Sequence, residues 1–209
     1  MTFVKICGIT SVEDALLAIA AGADALGLNF VPTSKRVVDR VTAAHINEAV
    51  GDLVELVAVV ADRTREDLED LREATGIRWL QLHGDESPAD LQALLPEAFK
   101  AVAIGNAEDA ARAELYGGAR LLLDARAPGE LGGTGQTFDW SLALPLVRRH
   151  QVIVAGGLRP ENVAQAVHAL QPFGVDVASG VESADNPRKK DEARMRAFVD
   201  AVRAAEKAR

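Results

Sequence analysis

The regular alternation of two kinds of segment constrains this chain most. Short β-branched apolar runs with period two take turns with longer stretches at helical spacing, over eight rounds of roughly 26 residues each. The pattern predicts strands over 3–8, 25–30, 54–60, 79–83, 100–104, 120–124, 152–155 and 175–178. Helices are expected over 11–22, 42–50, 65–75, 107–116, 139–149, 160–170 and 191–206, with a further one opening at Ser87-Pro88. Local punctuation agrees. Ser11 stands where an N-cap belongs with Asp14 three residues on, and Gly22 and Gly76 stand where helices should stop. Ser87-Pro88 combines a cap with a first-turn proline.

Strict alternation requires a parallel sheet, and eight short units favour a closed (βα)8 barrel, one domain over residues 1–209. The open, doubly wound sheet lacks its Gly-x-Gly-x-x-Gly after the first strand, where this chain has Cys7-Gly8-Ile9-Thr10.

Composition narrows the function. Only 4% of residues are aromatic against 48% hydrophobic, so the core is built from Ala, Val, Leu and Ile. The net charge is -8 and no basic block is dense enough for a nucleic-acid footprint. Arg188-Lys189-Lys190, followed by Asp191 and Glu192, reads as a solvated helix start. A single cysteine excludes an internal disulfide and suits a reducing compartment. There is no signal-peptide pattern and no apolar run of the ~18 residues that span a bilayer. A soluble cytoplasmic protein without nucleic-acid or membrane partners is expected, as a monomer or homodimer.

In such a barrel, chemistry belongs at the C-terminal ends of the strands. Those ends carry Cys7, Asn29, Gln81 with His83, Asp124, Gly156-Gly157 and Ser179-Gly180. Period two puts Lys5 and Cys7 on one face of strand one and Leu122 and Asp124 on one face of strand six; with both facing the mouth, Cys7 and Asp124 oppose each other across it. A thiolate there can take a proton from carbon while a protonated carboxyl gives one to oxygen. Each residue alone also reads as structure, Cys7 as an inert buried side chain and Asp124 as a loop cap. The turns at Gly156-Gly157 and Ser179-Gly180 follow strands seven and eight, where barrels bind phosphate through backbone N–H groups. Arg36 lies in the loop after strand two, as a carboxylate clamp or a solvated charge. His83 reads as a substrate contact or a satisfied structural group. It has no metal-ligand spacing with His45, His150 or His168. Lys5 and Asp176 should both point inward on neighbouring strands and form an ion pair beneath Cys7. The glycine-rich loop 127–135 suggests a lid and is not a Walker loop, since no Gly-Lys-Ser/Thr ends it.

Several of these stretches, in this order, resemble the phosphoribosylanthranilate isomerase family of tryptophan biosynthesis over nearly the whole length. They are Lys5-Ile6-Cys7-Gly8-Ile9-Thr10, Ser34-Lys35-Arg36, Gln81-Leu82-His83-Gly84 and Leu121-Leu122-Leu123-Asp124. Gly132-Gly133-Thr134-Gly135 with Phe138-Asp139-Trp140, Gly156-Gly157-Leu158 with Pro160-Glu161-Asn162, and Val175-Asp176-Val177-Ala178-Ser179-Gly180-Val181-Glu182 complete the set. The resemblance implies a (βα)8 barrel that catalyses an Amadori rearrangement of a phosphorylated aminosugar, with no metal or organic cofactor. It implies Asp124 as general acid and Cys7 as general base. It also implies Arg36 on the substrate carboxylate and the turns of Gly156, Gly157, Ser179 and Gly180 on phosphate. His83 and Asp176 are implied as supporting residues on the substrate side.

Two rivals share the fold. A dual-substrate aminoaldose phosphate isomerase would show two-fold repeated phosphate motifs and an aspartate where Cys7 stands. A non-catalytic phosphosugar-binding barrel would keep the glycine turns and could lose the acid or the base.

Overall fold

The computed structural model describes residues 1–125 and 139–208. Eight parallel strands close into a barrel in sequence order. They are β1 (Phe3–Cys7), β2 (Ala25–Asn29), β3 (Glu55–Val60), β4 (Trp79–Leu82), β5 (Ala98–Ile104), β6 (Arg120–Ala125), β7 (Gln151–Val154) and β8 (Gly174–Val177). The ring closes where β1 pairs with β8, with Lys5 opposite Asp176. Around it run α1 (Val12–Ala21), α2 (Arg40–Val50), α3 (Arg65–Thr75), α4 (Pro88–Gln92), α5 (Ala107–Ala113), α6 (Leu144–Val147), α7 (Val163–Leu170) and α8 (Glu192–Lys207).

The punctuation behaves as its chemistry demands. The Ser11 side chain accepts from the Asp14 N–H, and Gly22 and Gly76 end their helices in left-handed conformation. Ser87 and Asp90 form a reciprocal capping box around Pro88. The expected helix over 139–149 is instead a 3-10 turn (Trp140–Ala143) running into the short α6. Pro145 lies at the start of α6, where its missing N–H costs least.

The pleat divides the apolar side chains into two cores. Residues such as Ile6, Leu26, Leu80, Leu121 and Val175 face outward and pack beneath the helices, against Met195 and Phe198 among others. Ala25, Val57, Phe99, Leu122 and Ile153 fill the barrel interior. Burying each large side chain contributes about 1.5–3 kcal/mol. Below this layer, at the N-terminal floor, Arg120 pairs with Glu55. Its guanidinium carbon stands 4.3 Å from the Trp79 ring centroid, 5.1 Å from Phe3 and 5.7 Å from Phe173.

The basic run is not a solvated helix start. After a 3-10 turn (Ser179–Val181) come β9 (Glu182–Ser183) and β10 (Asn186–Lys190), an antiparallel hairpin over the C-terminal mouth, and α8 begins only beyond Asp191. Lys190 pairs with Glu182 across the hairpin and is buried, so cross-strand pairing outweighed the helix signal of the run. Among the described residues, no helix is long and apolar enough to cross a membrane. The expected lid at 127–135, and the Gly132-Gly133-Thr134-Gly135 and Phe138 positions, lie outside the described residues.

Candidate active site

The barrel's period of two brings Lys5 and Cys7 to one inward face of β1, one above the other. Lys5 Nζ donates to Asp176 Oδ1 at 2.8 Å, the ion pair expected from the strand order. Gly27, opposite Cys7 on β2, makes room for both groups: a Cβ there would lie 2.7 Å from Cys7 Sγ and 3.0 Å from Lys5 Nζ. Burial opposes the charge on Lys5, but Asp176 and Cys7 more than offset it and raise its pKa. Cys7 is buried as well. Burial pushes its thiol above the ordinary range, Lys5 pulls it back, and Asp176 opposes Lys5. The resting form is therefore the thiol, with a minor thiolate population beside a fixed cation.

Asp124 ends the inward face of β6, with Asp176 acting on it from the same mouth. Burial, then the like charge of Asp176, push its carboxyl up to about 7. It is a carboxylic acid that is still about half protonated at neutral pH. His83 Nε2 stands 3.8 Å from Asp124 Oδ2. The other ring nitrogen, Nδ1, lies 3.0 Å from the Gln81 amide nitrogen. An amide N–H donates only, so in this arrangement Nδ1 accepts and the ring proton sits on Nε2, facing Asp124. Burial, reinforced by Lys100 and Lys5, brings the His83 pKa down to about 4, so the ring is neutral at working pH. Gln81 Oε1 is buried with no hydrogen-bond partner among the described residues.

The loop after β7 reaches over Asp124. Gly156 has φ +83°, and a Cβ on it would fall 2.3 Å from Ala125 N and 2.8 Å from Asp124 Oδ1. Only glycine fits this turn, and Gly157 continues it with φ +63°. The turn with Ser179 and Gly180 packs alongside. A Cβ on Gly180 would lie 2.1 Å from the carbonyl oxygen of Leu158, so the two glycine turns form one continuous rim.

Arg36 reaches the mouth from the β2–α2 loop, but it is not a solvated loop charge. Its Nε and Nη2 both engage Glu182, the latter at 3.1 Å. Lys190 Nζ shares that carboxylate at 3.3 Å and also donates to the Ala178 carbonyl at 3.0 Å. Glu182 and Lys190 were missed as site residues. Glu182 was legible only as the end of a motif, and Lys190 was concealed by the two basic residues beside it. Gln81 carried no role in the sequence because its value lies in what it does to His83. Among the described residues, no three His, Cys, Asp or Glu side chains gather in a way that could hold a metal ion.

The constellation has parallels. Residues 4–201 match the family described as N-(5'phosphoribosyl)anthranilate (PRA) isomerase. An N-(5'-phosphoribosyl)anthranilate isomerase from Myxococcus xanthus is 46% identical over 205 residues, covering 96% of this chain and 95% of that one. Its counterpart from Pseudomonas aeruginosa (strain LESB58) is 45% identical over 96% of this chain and 94% of its own. The crystal structure of phosphoribosyl anthranilate isomerase from Thermotoga maritima superposes with a TM-score of 0.87 at 36% identity, covering 98% of this chain and 100% of that one. Another, solved in complex with reduced 1-(o-carboxyphenylamino)-1-deoxyribulose 5-phosphate, gives a TM-score of 0.84 at 34% identity over 98% and 100% of the two chains. With the barrel, the order of its strand-end residues and full-length identity all in agreement, the chain belongs to the phosphoribosylanthranilate isomerase family.

Proposed function

We propose that the protein converts N-(5-phosphoribosyl)anthranilate to 1-(2-carboxyphenylamino)-1-deoxyribulose 5-phosphate by general acid–base catalysis. The observation that carries the reading is the pairing of a carboxyl titrating near 7 with a buried thiol at the same barrel mouth. The protonated Asp124 gives its proton to the ribose ring oxygen as the C1–O bond breaks, and the amine lone pair forms the C1=N bond of a Schiff base. The Cys7 thiolate then takes the proton from C2. The C–H electrons form the C1=C2 bond, and the C1=N electrons return to nitrogen, so the substrate's own nitrogen is the electron sink. Tautomerisation of the enol gives the ketone. The neutral His83 offers its Nε2–H to the Asp124 carboxylate after the first proton transfer. Lys5, held by Asp176, offsets the charge that builds up on Cys7.

The rim formed by Gly156, Gly157, Ser179 and Gly180 receives the phosphate, and Arg36 the anthranilate carboxylate. The test is the decay of phosphoribosylanthranilate fluorescence on adding enzyme, with Cys7→Ala alongside. Fast decay with wild type and near-complete loss with the variant is the expected result. Decay no faster than the spontaneous rate with wild type overturns the reading.

A further inference from the structure

Arg36 is more tightly arranged than a carboxylate clamp requires. Its stem lies across the backbone of Gly8, where a Cβ would come within 2.3 Å of Arg36 Cδ, so the side chain runs directly over the residue after Cys7. The loop carrying it is pinned from the hairpin: Arg188 Nη1 donates to the carbonyls of Lys35 at 3.1 Å and Val37 at 2.9 Å. Thr10 Oγ1, from the β1–α1 loop, donates to the Arg188 carbonyl at 2.6 Å. Lys190, whose side chain is fully buried, is held in turn by the Ala178 carbonyl, while its N–H donates to Asp14 Oδ2 at 3.3 Å.

A guanidinium has two bidentate edges. Glu182 takes the Nε/Nη2 edge of Arg36. Nη1 and the second Nη2 hydrogen have no partner among the described residues, and the side chain remains 19% exposed at the mouth. The end-on edge is thus left for a second carboxylate, in an orientation Glu182 fixes.

We propose that Glu182, anchored by Lys190, is a positioning residue that orients the free edge of Arg36 toward the carboxylate of the substrate. The β9–β10 hairpin is then part of the specificity apparatus for a carboxylated aromatic amine. This rests on the reading of Arg36 given above and adds the device that makes its single orientation possible. Without Glu182 the guanidinium swings among rotamers, and the bidentate geometry must be bought with side-chain entropy at every binding event.

The test compares two ligands on wild type, Glu182→Gln and Glu182→Asp. One is the reduced product analogue bearing the 2-carboxyphenylamino group, the other its anilino counterpart without the carboxyl. Glu182→Asp keeps the charge, and with it the neutralisation of Arg36 and Lys190, but is one methylene too short to hold both. It therefore remains informative if the glutamine variant fails to fold. The expected result is about a tenfold loss of affinity for the carboxylated ligand in the variants, with the anilino ligand within about twofold of wild type. The KM for substrate should rise more than kcat falls. Equal losses for both ligands, or no loss for either, overturn the proposal while leaving the isomerase reading intact. Wild type that turns over the substrate yet does not discriminate between the two ligands removes the carboxylate role of Arg36, and the proposal with it. Wild type that does not turn over phosphoribosylanthranilate overturns the function itself.

Discussion

The floor and the mouth of this barrel both hold charge inside a protein, and they treat it in opposite ways. At the floor Arg120 has a carboxylate partner in Glu55 and three aromatic faces around it, so its charge is compensated from every side. At the mouth compensation stops short. Asp176 satisfies Lys5 but also presses on Asp124, Cys7 is held above its ordinary pKa, and Gln81 Oε1 has no partner among the described residues. A compensated buried charge is rigid and inert. An undercompensated one keeps a proton it would lose in water, or lacks one it could hold, and that is the condition for acid–base chemistry. The same eight strands provide both because their two ends carry different side chains on one inward face.

The sharpest way to break this contrast is at the mouth. Cys7→Ala and Asp124→Asn should each lower kcat by roughly 10²–10⁴-fold, measured by fluorescence decay. Asp124→Asn should not lower stability. Asp124 titrates near 4 when unfolded and about 7 when folded, so its contribution favours the fold below pH 4 and is lost as pH rises through 7. Removing the charge should therefore raise stability at pH 8 by about 4 kcal/mol and leave it nearly unchanged at pH 4, by denaturant unfolding at each pH.

At the floor, Arg120→Met should do the reverse. It strands the Glu55 carboxylate and empties the space between three rings, for a loss of about 3 kcal/mol of stability. Turnover per folded molecule should stay within about twofold. A comparable loss of turnover would show that floor and mouth are not independent.

The pH profile tests the mouth without mutation. Below about 7 Asp124 stays protonated while the Cys7 thiolate fraction falls, so kcat/KM should drop about tenfold per pH unit. Above 7, and up to the raised pKa of Cys7, the protonated fraction of Asp124 falls as fast as the thiolate grows, and the rate should be level. A limb centred near 4 instead would mean that Asp124 is an ordinary carboxylate.

Gln81→Leu should have the smallest effect. Losing the Nδ1 partner frees the His83 tautomer and should slow turnover by about 3–10-fold. Removing the orphaned Oε1 offsets part of the lost Nδ1 hydrogen bond, so stability should stay within about 1–2 kcal/mol of wild type. A turnover unaffected by this change would reduce His83 to a bystander of Asp124.

Residues near in sequence and regular in period determined the architecture. The alternation, the Ser11 and Ser87 caps, the Gly22 and Gly76 stops and the period-two placement of Lys5, Cys7 and Asp124 are local signals, and each reappears where local chemistry required it. The pairing of Lys5 with Asp176 was legible too, because a barrel in sequence order makes its first and last strands neighbours. Tertiary structure alone decided how these groups are paired and protonated. The pKa of Asp124 near 7 depends on burial and on Asp176 from another strand. The tautomer of His83 depends on Gln81, and the orientation of Arg36 depends on Glu182 and Lys190, more than a hundred residues away in the chain. Lys190 shows the limit best: its neighbours read as the solvated start of a helix, and only its pairing across the hairpin placed its ammonium group, buried, on Glu182. Desolvation and charge are sums over everything packed around a group, and a linear sequence does not contain that sum until the chain has closed on itself.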